Sequence, residues 1–159
     1  MAAYRYWRVV GLVARGAGDL ALSALYLCGA SGRADAAATL SCSHAPLAGS
    51  LGALQDGDGT THCRFAAADV RSPGFWIRWD FGAGGADITS LQLGGADSAE
   101  VFLARCDVQG SADGFGWTTL SSVSGIYKWP GANTLGEVSD GDPLFPNVSL
   151  LLHCEDRKS

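Results

Sequence analysis

Residues 75–81 read Phe-Trp-Ile-Arg-Trp-Asp-Phe, and every second position is large and apolar. Phe75, Ile77, Trp79 and Phe81 fall on one side of a two-residue period; Trp76, Arg78 and Asp80 fall on the other. Successive side chains of a strand point to opposite faces, so this pattern predicts a strand with one apolar and one amphipathic face. A helix would scatter the same rings around its circumference. Pro73-Gly74 supplies the turn before the strand, and Gly82-Ala-Gly-Gly85 the break after it. Four large side chains on one face need an opposing layer, which at this scale means a second sheet or a closed barrel.

The rest of the chain follows the same logic. Residues 4–13 are rich in aromatic and β-branched types and predict a first strand. Residues 20–27 are apolar on both faces, as a central strand or one beneath a loop would be. Residues 28–53 turn small and polar without an aromatic ring, and are expected to form a long surface connection. An acidic turn in residues 54–65 leads into a short strand. Residues 88–93 form another, ended by Gly94-Gly95. In residues 100–109, Val101, Leu103 and Arg105 oppose Phe102, Ala104, Cys106 and Val108. Residues 110–120 make a hairpin turn into the next strand, which continues through residues 121–126, and residues 129–138 close the domain. No segment has a 3.6-residue apolar period. Seven or eight short strands separated by turn residues predict an all-β, antiparallel sandwich over residues 1–138.

Residues 139–159 stand apart. Ser139-Asp-Gly-Asp-Pro143 reads as a linker, followed by one apolar strand and a charged tail. A lone strand is no domain, so it either pairs with the sandwich or begins a further module. The Asn147-Val-Ser149 sequon has meaning only in a secreted eukaryotic protein. At the other end, Arg5 and Arg8 precede an apolar run, as in a signal peptide. Asp19 abuts that run, and strand alternation fills the basic part, so a mature start is expected. The run is too short to span a bilayer.

Composition narrows the function. Only 17% of residues are charged and the net charge is −5, with no Lys/Arg cluster to displace counterions from a phosphate backbone. Nucleic-acid binding and membrane insertion are therefore not expected. Cys28, Cys42, Cys63, Cys106 and Cys154 are odd in number, widely spaced and lack a Cys-x-x-Cys pair. Burial as small hydrophobes outweighs a zinc site built from the neighbouring His44, His62 and His153. No nucleophile elbow, phosphate loop or His-Glu-x-x-His motif is present, and Ser43-His44 lacks a third partner, so no enzymatic activity is expected.

Three pieces in chain order carry a resemblance. They are Tyr6-Trp7-Arg8-Val9, the turn Asp56-Gly-Asp-Gly-Thr-Thr61, and Trp79-Asp-Phe-Gly82 with the later Gln109-Gly-Ser-Ala-Asp-Gly114 and Trp117-Thr118. Together they resemble the discoidin, or galactose-binding-like, jelly-roll family over residues 4–138, in the variant found in bacteriophage and prophage tail proteins. Residues 142–153 are similar to the first strand of a concanavalin-A-like (laminin-G-like) module. The chain departs from the family at His62-Cys63, where an aromatic residue is usual.

The resemblance implies a structural Ca²⁺ at Asp56, Asp58 and Thr61, completed by an acid near the domain end such as Glu137. Carboxylates beside glycine-freed carbonyls are suitable hard ligands. The competing reading is an ordinary Asp-Gly turn with Asx hydrogen bonds. Glycan binding in the family uses rings and polar groups on loops, which points to Phe115, Trp117, Tyr127 and Trp129 with Asp113 and Asn133. Trp7 and Trp79 belong to the core instead, while Trp129 suits burial and exposure equally. The implied function is a virion-associated module of a tail tip or fibre, acting in adhesion to host-surface glycans or in particle assembly. Its partners would be other virion proteins and copies of itself in a symmetric assembly. The alternatives are a stand-alone carbohydrate-binding lectin-like domain and a purely structural decoration or spacer.

Overall fold

The computed structural model describes residues 3–16, 18–30, 32–58, 60–96, 99–123 and 135–138; of residue 99 and residues 135–138 only the backbone is described. In chain order the strands are β1 (Tyr6–Ala14), β2 (Leu20–Gly29), β3 (Gly32–Arg33), β4 (Thr39–Cys42), β5 (Ala48–Gly49) and β6 (Cys63–Phe65). A single short helical turn, α1 (Ala67–Val70), precedes β7 (Trp76–Asp80), β8 (Ser90–Gly95), β9 (Leu103–Ser111), β10 (Thr118–Val123) and β11 (Leu135–Val138). One sheet runs β10-β9-β1-β7-β4 and the other β11-β8-β2-β6-β5, with β3 paired to β2. Every pairing is antiparallel. The protein is an all-β sandwich.

The alternation in β7 sets the layer. Phe75, Ile77 and Trp79 are fully buried, Phe81 is half-buried just past the strand end, and Trp76, Arg78 and Asp80 remain partly exposed. β1 places Trp7 opposite Trp79 and Val9 opposite Ile77, so the two strands share one inward surface. Leu20, Leu22, Leu25 and Leu27 of β2 face it from the other sheet within one core. The Trp79 indole N–H is buried without a hydrogen-bond partner. That omission costs about 1–3 kcal/mol. Burying roughly 200 Å² of ring returns about 5 kcal/mol, so the large ring still wins.

β1 keeps its inward face across a register shift. Trp7 and Val9 point in, and after Gly11 it is Leu12 and Ala14 that do. Gly11 sits at φ +62°, the left-handed conformation a bulge of this kind needs. β2 is buried on both faces as expected. Its second face holds Ala24, Tyr26 and Cys28, and the Arg33 guanidinium lies 3.6 Å from the centre of the Tyr26 ring.

Three expectations need correction. The stretch 28–53 is not a bare connection: it contributes β3, β4 and β5 and two 3-10 turns. These strands are short or at a sheet edge, so burial imposes little apolar pattern on them. Gly94-Gly95 does not end its strand, because β8 runs through it; a Cβ on Gly94 would lie 2.3 Å from the Ser23 hydroxyl oxygen, so glycine here permits close approach of β2. In the residues leading into β9, Ala99–Val101 form a 3-10 turn, and Phe102 and Leu103 are both buried. The alternation therefore slips, and Leu103 joins Cys106 and Val108 on the inner face. Among the described residues eleven strands, some of two residues, replace the seven or eight expected. β11 pairs with β8 as a closing strand would; residues 139–159 lie outside the described residues.

Asp35 is the buried charge that organises the long connection. Its carboxylate accepts the Leu27 N–H at 3.1 Å and the Arg33 Nε and Nη2 donors at 3.0 and 3.1 Å. Gln55 closes the network by donating to the Asp35 and Ala38 carbonyls. Removing one member of such a buried pair strands the other. Asp35→Ala should therefore lower stability by about 3 kcal/mol in denaturant melts, and Asp35→Asn by less. An unchanged midpoint would show that the pair carries no structural weight.

Candidate ligand-binding surface

The turn between β9 and β10 is built by two side chains. The Ser111 hydroxyl accepts from the Gly114 N–H at 2.8 Å and lies 3.1 Å from Asp113 Oδ1. Asp113 Oδ1 accepts from the Phe115 and Gly116 N–H groups at 2.9 and 3.0 Å. Those bonds to Gly116 and Phe115, then the one with Ser111, hold the Asp113 carboxyl below the usual carboxylate range. Gly114 adopts φ +84° against the Tyr6 ring, which ties the turn to β1. The result is a fixed loop with Phe115 at its tip, 88% exposed. Trp117, at the loop's end, is half-buried, with the Arg8 guanidinium 4.1 Å from a ring centre.

Three of the six expected ligand residues, Asp113, Phe115 and Trp117, thus come together. Tyr127, Trp129 and Asn133 lie outside the described residues. Unassigned at the sequence level were Tyr6, Arg8, Trp76 and Arg78, which line the solvent face beside the loop. Arg8 and Arg78 are cross-strand partners. Arg78 lies 5.0 Å from the Trp76 ring and 5.7 Å from that of Tyr6, and Arg8 Nε donates to Gln109 Oε1 at 2.7 Å. Burial, and then the charge of Arg78, lowers the Arg8 pKa. The alternation Tyr6-x-Arg8 and Trp76-x-Arg78 was the available signal.

The acidic turn is held by its own hydrogen bonds. Asp56 Oδ1 accepts the Asp58 N–H at 2.9 Å and its Oδ2 the Thr61 hydroxyl at 2.6 Å. Asp58 Oδ1 accepts both the N–H and the hydroxyl of Thr60, which lowers the Asp58 pKa. Glu137 pairs with Gln92, and Gln92 with Tyr26, whose pKa burial raises against the Arg33 charge and a backbone hydrogen bond from Gly57. Its backbone therefore sits in the row that reaches the turn, but its side chain lies outside what is described. No group of three or more His, Cys, Asp or Glu converges among the described residues. The Asx reading accounts for the geometry seen.

Elsewhere, Cys63 is buried, and burial pushes its thiol up to about 12. Phe65 packs edge-on to Phe75 at 5.1 Å. The Ser43 hydroxyl accepts the Trp76 N–H at 2.8 Å, joining β4 to β7. At the far end of β1, a cleft of about 410 Å³ is lined by Gly11, Val13, Gly16, Arg71, Ser72 and Arg105 among others. Comparison of the chain with protein-family models, curated proteins and solved structures returns no match.

Two measurements follow from this geometry. A folded-state pKa below the unfolded one means Asp113 stabilises the loop above the ordinary carboxylate range and loses that effect as pH falls through the lowered value. The Phe115 and Gly116 amide resonances should hold until pH passes below that range; movement near the ordinary carboxylate pKa would contradict the network. Melting with calcium and with chelator should give the same midpoint, whereas a rise with calcium would reveal a cage at Asp56 and Asp58.

Proposed function

We propose that this chain is a non-catalytic adhesion module of a phage or prophage virion, a galactose-binding-like jelly roll that presents its β9–β10 loop to host-surface glycans. The observation that carries the reading is Phe115, a large ring held in water on a turn locked by Asp113 and Ser111. Core burial does not account for it, and ordering it in advance lowers the entropic cost of stacking on a ligand. Trp117 and Arg8 extend the contact surface behind it. The order of family-like motifs supports the jelly-roll and tail-protein assignment. In a symmetric particle, weak contacts of single loops gain avidity, so a small site suffices.

The test is binding to a glycan array and to bacterial envelopes. Wild-type chain should bind, and Phe115→Ala should weaken binding about tenfold with its melting midpoint unchanged. Full binding by Phe115→Ala would remove the loop from the site. Copurification with particles distinguishes the virion module from a stand-alone lectin; particle association without glycan affinity would indicate a structural decoration instead.

A further inference from the structure

We infer that the solvent face of the β10-β9-β1-β7-β4 sheet is a receptor for an acidic saccharide, with Arg8 and Arg78 reading its carboxylates and Trp117, Trp76 and Tyr6 packing on its rings. This rests on the adhesion reading and names its ligand class. The argument begins with an electrostatic oddity. Arg8 and Arg78 stand directly opposite on adjacent strands, their Cα atoms roughly 5 Å apart, where like charges destabilise a sheet.

Nearby acids form no ion pair with them. Asp80 is held by Arg5 at 2.9 and 3.3 Å, and Asp107 by Arg105 at 3.0 Å. Asp80 is also drawn by the Arg78 charge, though less than by Arg5. Neither Arg8 nor Arg78 has a carboxylate within ion-pair distance among the described residues, so neither guanidinium is ion-paired on this face of a chain whose net charge is −5. Both guanidiniums are instead oriented by rings and by Gln109.

A planar guanidinium with an open edge takes a carboxylate through two parallel hydrogen bonds. Flanking rings suit the apolar faces of sugars, and Gln109 and Thr119 add polar groups beside Arg8. An acidic glycan spaces its charges one sugar or more apart, which two arginines can meet. A polyphosphate strand would need many more cations than this face offers.

The test titrates the full chain with sialyllactose, oligogalacturonate and hyaluronan fragments, each as the free acid and as its neutral methyl ester, and with a single-stranded oligonucleotide. At least one acid should bind about tenfold more tightly than its ester, and more tightly than the oligonucleotide. Arg8→Gln and Arg78→Gln should each erase that difference, with the melting midpoint of Arg78→Gln unchanged or raised because the repulsion is relieved. Acid and ester binding alike, with Phe115→Ala still weakening both, would overturn the inference and leave the adhesion reading standing. Preference for the oligonucleotide, or an acid preference that survives both substitutions, would also overturn it. Binding of nothing in the panel or on the array would overturn both.

Discussion

The inward row of β1 and β7 is the constraint on which the rest of the structure depends. Trp7 lies opposite Trp79 and Val9 opposite Ile77, all four buried against the leucines of β2. Because the period of a strand is two, settling which residues face the core also settles which face water. Arg8, Trp76 and Arg78 are outward as a consequence of Trp7, Ile77 and Trp79 being inward. A slip of one residue would bury two guanidiniums, a cost far above anything the packing could offset. The proposed binding face is thus the reverse side of the core.

The second sheet meets a different demand. Both faces of β2 are covered, and its outer face is closed by the segment that runs through β3 and the turn around Asp35. The buried carboxylate, its Arg33 partner and the Gln55 amide make this cover a specific structure. The outer face of β2 is therefore covered, while the other sheet leaves arginines and rings partly exposed to solvent.

How much of this was legible in the sequence depended on burial. β1, β2 and β7 were visible because large apolar residues recur at the strand period. β4, reading Thr-Leu-Ser-Cys at a sheet edge, and the two-residue β3 and β5 carry no such period. Asp35 was invisible because its partners include the distant Leu27 N–H and, through its peptide carbonyl, Gln55. Gly94 reads as a breaker until the neighbouring Ser23 shows why a side chain is excluded. The β9–β10 loop was half legible: Asp113, Phe115 and Trp117 stand out locally, but the tie of Trp117 to Arg8 exists only through the β1–β9 register. No local pattern encodes a cross-strand pair of arginines.

The central claim is that the two sides of one sheet do separate jobs, packing inward and ligand reading outward. The most direct measurement follows the tryptophan indole N–H signals during titration with an acidic oligosaccharide that binds. Trp76 and Trp117 should shift in step with occupancy while Trp7, whose indole donates to the Ala86 carbonyl at 2.9 Å, and the buried Trp79 stay in place. Shifts at Trp7 and Trp79, or none at Trp76 and Trp117 under saturating ligand, would contradict the account.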